Sequence, residues 1–384
     1  MRSYSLGREL ARLGHQVTLL ASRTTPGLRG RATTREGVQV FEPADIFPRK
    51  LRNGGLSPQD LSGRLLWTIG RQFDVLHAFD HRPAAFLPAW FCRMRGGGIL
   101  VSDWADLWGW DGIAGQPGSI ARRILGRLDH FFELWVRRRV DGVTSISSDL
   151  DRRAAGLGIP ADRRLLVPPG APVDWLRVGK KQAARAQLGL PPDAHIAGYS
   201  GFAPYDREFL ERVILDLLGR DPEAVVISSG SVRASLQSAA RARGVGDRVI
   251  QYGVLPQDEI GIVLAASDVL MLPYINSSIN RGRFPNKFGD YLAAGRAIVT
   301  HPTGDLGSLV EREKVAVLSS SVPEEYVAAI LHLFESPGER AKLGERARKF
   351  AESSWSWKVR AEAVNRFYSL LLSRKESPAL PENL

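Results

Sequence analysis

Between two apolar stretches in its C-terminal half the chain reads Asn280-Arg281-Gly282-Arg283-Phe284-Pro285-Asn286-Lys287-Phe288-Gly289-Asp290-Tyr291-Leu292-Ala293-Ala294-Gly295-Arg296-Ala297. A Gly/Pro-rich loop that runs into a helix turns free amide groups and the positive end of the helix dipole toward an anion, and Lys287 adds a mobile positive charge. A phosphate group suits such a place. Asp290 follows Lys287 by three residues, about one helical turn, where it can accept hydrogen bonds from ribose hydroxyls as acidic residues do in other nucleotide sites. On composition alone the plainer alternative is an ion pair at a helix start with no ligand.

The elements that must carry these residues follow from hydrophobic periodicity. Tyr4 to Gly14 has leucines at helical spacing and breaks at Gly14-His15 before the apolar run Val17 to Ala21, a helix followed by a buried parallel strand. An α/β domain of this kind normally opens with a strand and a Gly-rich turn ahead of that helix, and neither is present in this sequence. The expectation is a first domain lacking its first strand. Further strands are expected at Val38 to Phe41, Val75 to Ala78, Gly98 to Ser102 and Gly142 to Ile146, parallel and joined by helices. A linker is expected near Lys180 to Arg185. The pattern then restarts with strands at His195 to Tyr199, Ala224 to Ser228, Arg248 to Tyr252, Val269 to Leu272 and Ala297 to Thr300, with helices from Arg207 to Leu218 and Gln257 to Ala266. Residues from Ser321 onward read as helices.

With 384 residues and 44% hydrophobic content the chain suits two domains rather than one core. No apolar run approaches the ~18 to 20 residues that cross a bilayer, and the start lacks a signal-peptide core, so a cytoplasmic location is expected. The single Cys92 cannot form an internal disulfide and is read as a small buried apolar residue. A formal net charge of +11 would suit any polyanion, but no nucleic-acid-binding signature accompanies it, and no nucleic acid is expected as a partner. From Ile120 to Val140, Ile124, Leu128, Phe131, Phe132, Trp135 and Val136 form an apolar stripe among Arg122, Arg123, Arg127 and Arg137 to Arg139. The ordinary reading is a core-packed surface helix. The other is a face, on helix 120–140, that also touches an anionic membrane surface.

The block from Pro285 to Gly295 resembles the donor-binding signature of the retaining glycosyltransferases of family four. Leu6-Gly7-Arg8-Glu9-Leu10-Ala11-Arg12-Leu13-Gly14-His15-Gln16-Val17, Asp74-Val75-Leu76-His77-Ala78, Val140-Asp141-Gly142-Val143-Thr144-Ser145, Val167-Pro168-Pro169-Gly170 and Tyr199-Ser200-Gly201 resemble further stretches of that family in the same order. The resemblance implies an α/β chain of GT-B fold: two Rossmann-like parallel-sheet domains facing a central cleft, with a C-terminal helix crossing back to the first domain. It divides the chain into an acceptor-binding domain at 1–176, a donor-binding domain at 177–348 and the returning helix at 349–384. It also implies transfer of a sugar from a nucleotide diphospho-sugar, with retention, to a saccharide or lipid-linked acceptor, with no metal and no cofactor beyond the co-substrate.

On this resemblance Ser200, Gly201, Arg207, Tyr252, Gly253, Pro285, Asn286, Lys287, Phe288 and Asp290 are the donor-binding candidates. Lys287 and Arg207 would stabilise the departing diphosphate. The family's paired glutamates are reduced here, since Gly282 stands eight positions before Asp290. In the first domain, Val101-Ser102-Asp103-Trp104-Ala105-Asp106-Leu107-Trp108 follows a strand at its carboxyl end, where α/β ligands bind. Ser102 and Asp103 occupy the places of a polar pair near the reacting sugar. Asp103 could orient or deprotonate the acceptor hydroxyl, or stabilise positive charge on the sugar ring. Ser102, Asp106, Trp108 and His81 are further acceptor-side candidates, with Asp103 and Lys287 the catalytic ones. An epimerase of the same architecture and a non-catalytic nucleotide-sugar-binding protein remain as alternatives.

Overall fold

A computed structural model describes residues 2–110, 112–115, 120–176, 179–201, 205–230 and 234–376. The chain forms two compact units: one takes in the chain up to Pro169, Gly282–Phe284 and the stretch from Trp357, and the other Gly170–Arg281 and Pro285–Ser356.

In the second unit, β8 (His195–Ser200), β9 (Ala224–Ser229), β10 (Val249–Gln251), β11 (Val269–Met271), β12 (Ala297–Thr300) and β13 (Val317–Leu318) form one sheet in the order β10-β9-β8-β11-β12-β13. Every pair is parallel. Both faces are buried, which is why these strands read as continuous apolar runs. Ala197, Tyr199, Val226 and Met271 pack on one face with the helices Arg207–Arg220 and Pro323–Glu335, while Ile196, Val225 and Ile227 pack on the other with Gln257–Ala266. The stretch 180–185, where a linker is expected, instead starts the helix Lys181–Leu188. Lys181 and Arg185 both reach the Asp268 carboxylate, at 2.8 and 2.6 Å, and those pairings dock the helix onto the unit.

The first unit holds two sheets. One has β1 (Val17–Leu20), β2 (Arg31–Arg35) and β3 (Val38–Glu42) in the order β1-β3-β2, and the other has β4 (Val75–Ala78), β5 (Ile99–Trp104), β6 (Gly142–Ser145) and β7 (Arg164–Leu166) in sequence order. β1 and β4 are therefore outer strands. Parallel pairing is the rule, but β2 runs antiparallel to β3. The reason is the two-residue turn Glu36-Gly37, both with positive φ (48° and 81°), which closes a hairpin. The helix Arg2–Arg12 precedes β1 and packs on the helix Trp357–Glu376, with Leu6, Leu10, Ile99, Val101, Val364 and Phe367 in one core cluster. Cys92 is buried and free, as expected.

The helix Ile120–Arg137 departs from the core-packed reading. Val136 is buried and Trp135 packs against Phe86 and Trp90, but Ile124, Leu128, Phe131 and Phe132 are 55, 53, 59 and 42% exposed. Arg137 is buried while Arg127, Arg138 and Arg139 are exposed. The side chains of Arg122 and Arg123 lie outside the described residues.

Candidate functional site

The donor-side candidates gather at the carboxyl ends of β8, β9 and β10, the end of a parallel sheet where ligands bind. β8 ends in Tyr199-Ser200-Gly201. The Ser200 amide donates to the Tyr291 hydroxyl at 2.8 Å, the Ser229 hydroxyl donates to that of Ser200 at 2.9 Å, and the Gly201 amide donates to the Ser229 carbonyl at 2.7 Å. Gly201, Gly230 and Gly253 all have positive φ (89°, 106° and 70°). The Gly230 amide donates to the Gly253 carbonyl, and a Cβ on Gly230 would stand 2.5 Å from the Gly201 carbonyl oxygen. Three strand ends thus meet with bare backbone, and only glycine permits that approach. The Tyr252 amide is tied to the Ser228 carbonyl, and its buried hydroxyl has no partner among the described residues.

Lys287 lies over this platform. Its ammonium donates to the Tyr199 hydroxyl and sits 4.1 Å from that ring's centre, and its stem is 3.0 Å from where a Gly201 Cβ would be. The helix Asn286–Ala294 positions it, with Pro285 capping the start, Asn286 exposed and Gly295 left-handed at the end. Phe288 is fully buried and serves packing. Asp290 is half-buried one turn on. Burial pushes its carboxyl up to about 7, and the nearby Lys287 charge offsets part of that rise. Arg207 opens the helix Arg207–Arg220 and makes no hydrogen bond or ion pair to the described residues, so the structure brings Ser200, Gly201, Tyr252, Gly253 and Lys287 together and leaves Arg207 beside them by sequence only.

The acceptor-side candidates gather at the carboxyl ends of β4 and β5. Asp80, His81, Asp103, Asp106, Trp108 and Arg137, with Phe79 and Ala105, line a cavity of about 90 Å³. Asp103 is its most constrained member. Arg2 grips both carboxylate oxygens at 2.8 and 2.9 Å and the Thr144 hydroxyl donates to one of them at 2.5 Å. Burial would raise this carboxyl, but the Arg2 charge and these hydrogen bonds more than offset it and hold it below the usual range. Beside it, burial drives the His77 imidazole down to about 4, so His77 is neutral, held by Tyr368 and Thr144.

Asp106 behaves in the opposite way. Burial pushes its carboxyl up to about 6, with Arg283 lowering it in part and the charges of Asp80 and Asp103 raising it. His81 is held at Nε2 by Asp129 at 2.8 Å, and Nδ1 stands 3.3 Å from Asp80 without a hydrogen bond. Trp108 carries the Arg82 guanidinium on its ring at 3.8 Å, and Arg82 in turn pairs with Asp80 at 3.1 Å. Ser102 is fully buried and accepts from Arg137, so it supports a cavity residue rather than facing the cavity. Trp104 is core.

Sequence reasoning missed Gly230, Tyr199, Asp80, Arg137 and Arg283 as site residues. One signal was available: Ser228-Ser229-Gly230 ends β9 as Tyr199-Ser200-Gly201 ends β8. The others become visible only through contacts between distant segments.

Among known proteins, residues 1–170 match the family model described as "Glycosyl transferase 4-like domain", and residues 207–336 match "Glycosyl transferases group 1". The D-inositol 3-phosphate glycosyltransferase 2 of Catenulispora acidiphila is 27% identical over 95% of this chain and 88% of its own. Among solved structures, sucrose-phosphate synthase from Thermosynechococcus elongatus superposes with a TM-score of 0.76 at 17% identity, covering 97% of this chain and 92% of that one. HepE from Anabaena, solved in complex with UDP-glucose, gives 0.64 at 16% identity over 86% of each chain. With both halves matched by the paired models and the architecture shared with these neighbours, the chain belongs to the family-four glycosyltransferases and has the GT-B fold.

Proposed function

We propose that this glycosyltransferase moves a sugar from a nucleotide diphospho-sugar to a saccharide or lipid-linked acceptor, with retention at the anomeric carbon and without a metal, in polysaccharide or cell-envelope glycan synthesis. The observation that carries the donor half is the Lys287 ammonium above the glycine platform at the ends of β8, β9 and β10. A diphosphate there approaches backbone free of side chains and meets the Lys287 cation, a group that stabilises charge on a departing nucleoside diphosphate. Asp290 takes the ribose hydroxyls. In the reaction the bond from the anomeric carbon to the diphosphate oxygen breaks and a bond to the acceptor oxygen forms, with the acceptor's proton released.

For the acceptor half the chemistry favours Asp106 over Asp103 as the group that receives that proton. A carboxyl with both oxygens gripped by Arg2 and Thr144 is a weak base, whereas one raised to about 6 is near the working range of a general base.

The exposed stripe Ile124, Leu128 and Phe131, flanked by Arg127, Arg138 and Arg139, supports peripheral binding to an anionic membrane on its cytoplasmic face. No helix among the described residues is long and apolar enough to cross a membrane.

The test is a panel of UDP-, ADP- and GDP-sugars incubated with the purified chain, following release of nucleoside diphosphate with and without simple saccharides. Release from at least one donor, quickened by an acceptor, is expected. No release together with no donor binding by calorimetry sinks the reading.

A further inference from the structure

Two loops of the first unit, far in sequence from the helix Ile120–Arg137, together hold a set of apolar side chains out in water. Gly27 and Asp45 form an isolated antiparallel bridge in which each amide donates to the other's carbonyl at 2.9 Å. Asp45 is buried and turns inward, so Leu28 and Ile46, one step along on each side of the bridge, turn outward. They are 79 and 54% exposed. Phe47 and Leu51 are exposed as well, and so is Leu56, whose amide donates to the Leu51 carbonyl just past the helix Arg49–Asn53.

The backbone beneath these side chains is fastened. Buried Arg52 donates to the Phe47 carbonyl at 2.8 Å and to the Arg23 carbonyl at 2.9 Å, which ties one loop to the other. The Phe47 amide donates to the Asp45 carboxylate and the Ile46 amide to the Gln59 side chain. A contact made here need not order the loops first.

The charge around them has one sign. No aspartate or glutamate occurs from Ser22 to Arg35 or from Ile46 to Gln59. The acids next to these runs are turned away or matched: Asp45 is buried, Asp60 is buried against Arg64, and Glu42 stands opposite Arg31 across the β2–β3 ladder. Arg29, Arg49 and Lys50 are exposed and make no ion pair among the described residues. Whatever covers this surface must take up apolar side chains and carry negative charge. The headgroup layer of an anionic bilayer does both, and it admits protruding side chains without a pocket shaped to each. The surface also adjoins the exposed stripe of the helix Ile120–Arg137. A Cβ on Gly55 would stand 3.2 Å from the Arg82 Cβ, and Arg82 Nε lies 3.7 Å from Asp129, the neighbour of Leu128.

We propose, resting on the membrane reading of that stripe, that loops 23–30 and 46–56 are a second point of contact with the same anionic bilayer. Leu28, Ile46, Phe47, Leu51 and Leu56 enter the headgroup layer while Arg29, Arg49 and Lys50 meet lipid phosphate. Two contacts on one body reinforce each other, so loss of either weakens the whole attachment by more than its share of surface.

The full chain carrying Ile46→Cys, labelled with an environment-sensitive fluorophore, reads this contact directly, because Cys92 is buried. Vesicles containing phosphatidylglycerol should shift the emission to the blue and raise it about twofold, and phosphatidylcholine vesicles should leave it unchanged. Alongside, vesicle partitioning and Tm are measured for the parent, for Phe47→Ser with Leu51→Ser, and for Arg49→Gln with Lys50→Gln. Each pair should lose about fivefold or more in partitioning at parental Tm. Where a pair lowers Tm, the label decides. Parental binding with no shift at position 46, or with both pairs partitioning as the parent does, overturns the inference and leaves the stripe's role standing. A parent that ignores anionic vesicles overturns both. An equal shift with soluble polyglutamate assigns the surface to an acidic protein partner and overturns the lipid contact.

Discussion

Replacing Lys287 with alanine removes the ammonium that stands over the glycine platform, and the loss can be sized from its surroundings. A charge-assisted hydrogen bond to phosphate contributes about 1.5 to 3 kcal/mol. Lys287 is not idle without donor, however, because it bonds the Tyr199 hydroxyl and lies over that ring at 4.1 Å, a contact of about 0.5 to 1 kcal/mol. Donor binding exchanges that contact for phosphate, leaving a net loss of about 1 to 2 kcal/mol on substitution, or roughly 5- to 30-fold in Kd. The assay is calorimetric titration of UDP and of the best donor into the parent, Lys287→Ala and Lys287→Met, the last keeping most of the stem's packing. Thermal shift provides a cross-check. A ligand at 100 times its Kd stabilises by about 2.7 kcal/mol, and a tenfold weaker Kd at the same concentration reduces this to about 1.4 kcal/mol. Both variants should weaken together. Unchanged affinity in Lys287→Met, with the unliganded Tm preserved, would refute the phosphate role.

Other outcomes follow from neighbouring features. Gly230→Ala forces a Cβ to 2.5 Å from the Gly201 carbonyl oxygen at φ 106°, so Tm should fall by several degrees and nucleoside diphosphate binding should drop with it; a variant with parental Tm and affinity shows that the strand ends are looser than described. The Asp290 carboxyl is raised to about 7 from an ordinary value near 4, so between those values the folded protein holds a proton that the unfolded chain has released, and stability falls as pH rises through that window. Asp290→Asn should therefore gain more Tm at pH 8 than at pH 4.5, and equal gains at both would contradict the assigned burial. Leu128→Ser combined with Phe131→Ser should abolish co-sedimentation with phosphatidylglycerol-containing vesicles while leaving donor hydrolysis intact, and binding of the parent that ignores vesicle charge and salt would remove the membrane role.

Much of the architecture could be read because its strands are buried on both faces. Val269–Met271 and Ala297–Thr300 appear where the apolar runs start, since parallel strands between helix layers tolerate few polar residues. β2 escaped notice because Arg31–Arg35 is exposed throughout and carries no apolar alternation; it exists through its pairing with β3 across the Glu36-Gly37 turn. The charges at 180–185 suggested a linker for a related reason. Their partner Asp268 lies more than eighty residues along the chain, and nothing local announces it. The helix Ile120–Arg137 shows another limit: amphipathicity marks a stripe but does not say whether the protein covers it. In the site, Lys287, Ser200 and Gly201 were legible from a loop entering a helix and a strand ending in glycine. The difference between Asp103 and Asp106 was not, because Arg2 reaches Asp103 across a hundred residues of sequence and reverses what burial alone would do to its carboxyl.

The division of the first unit's strands into two sheets has a mechanical consequence. Strands at a sheet margin hold neighbours on one side only, so their backbone amides are released by smaller fluctuations than those of inner strands such as β5. Val17–Leu20 and Val75–Ala78 are two such margins, and deuterium uptake there would run ahead of that in β5.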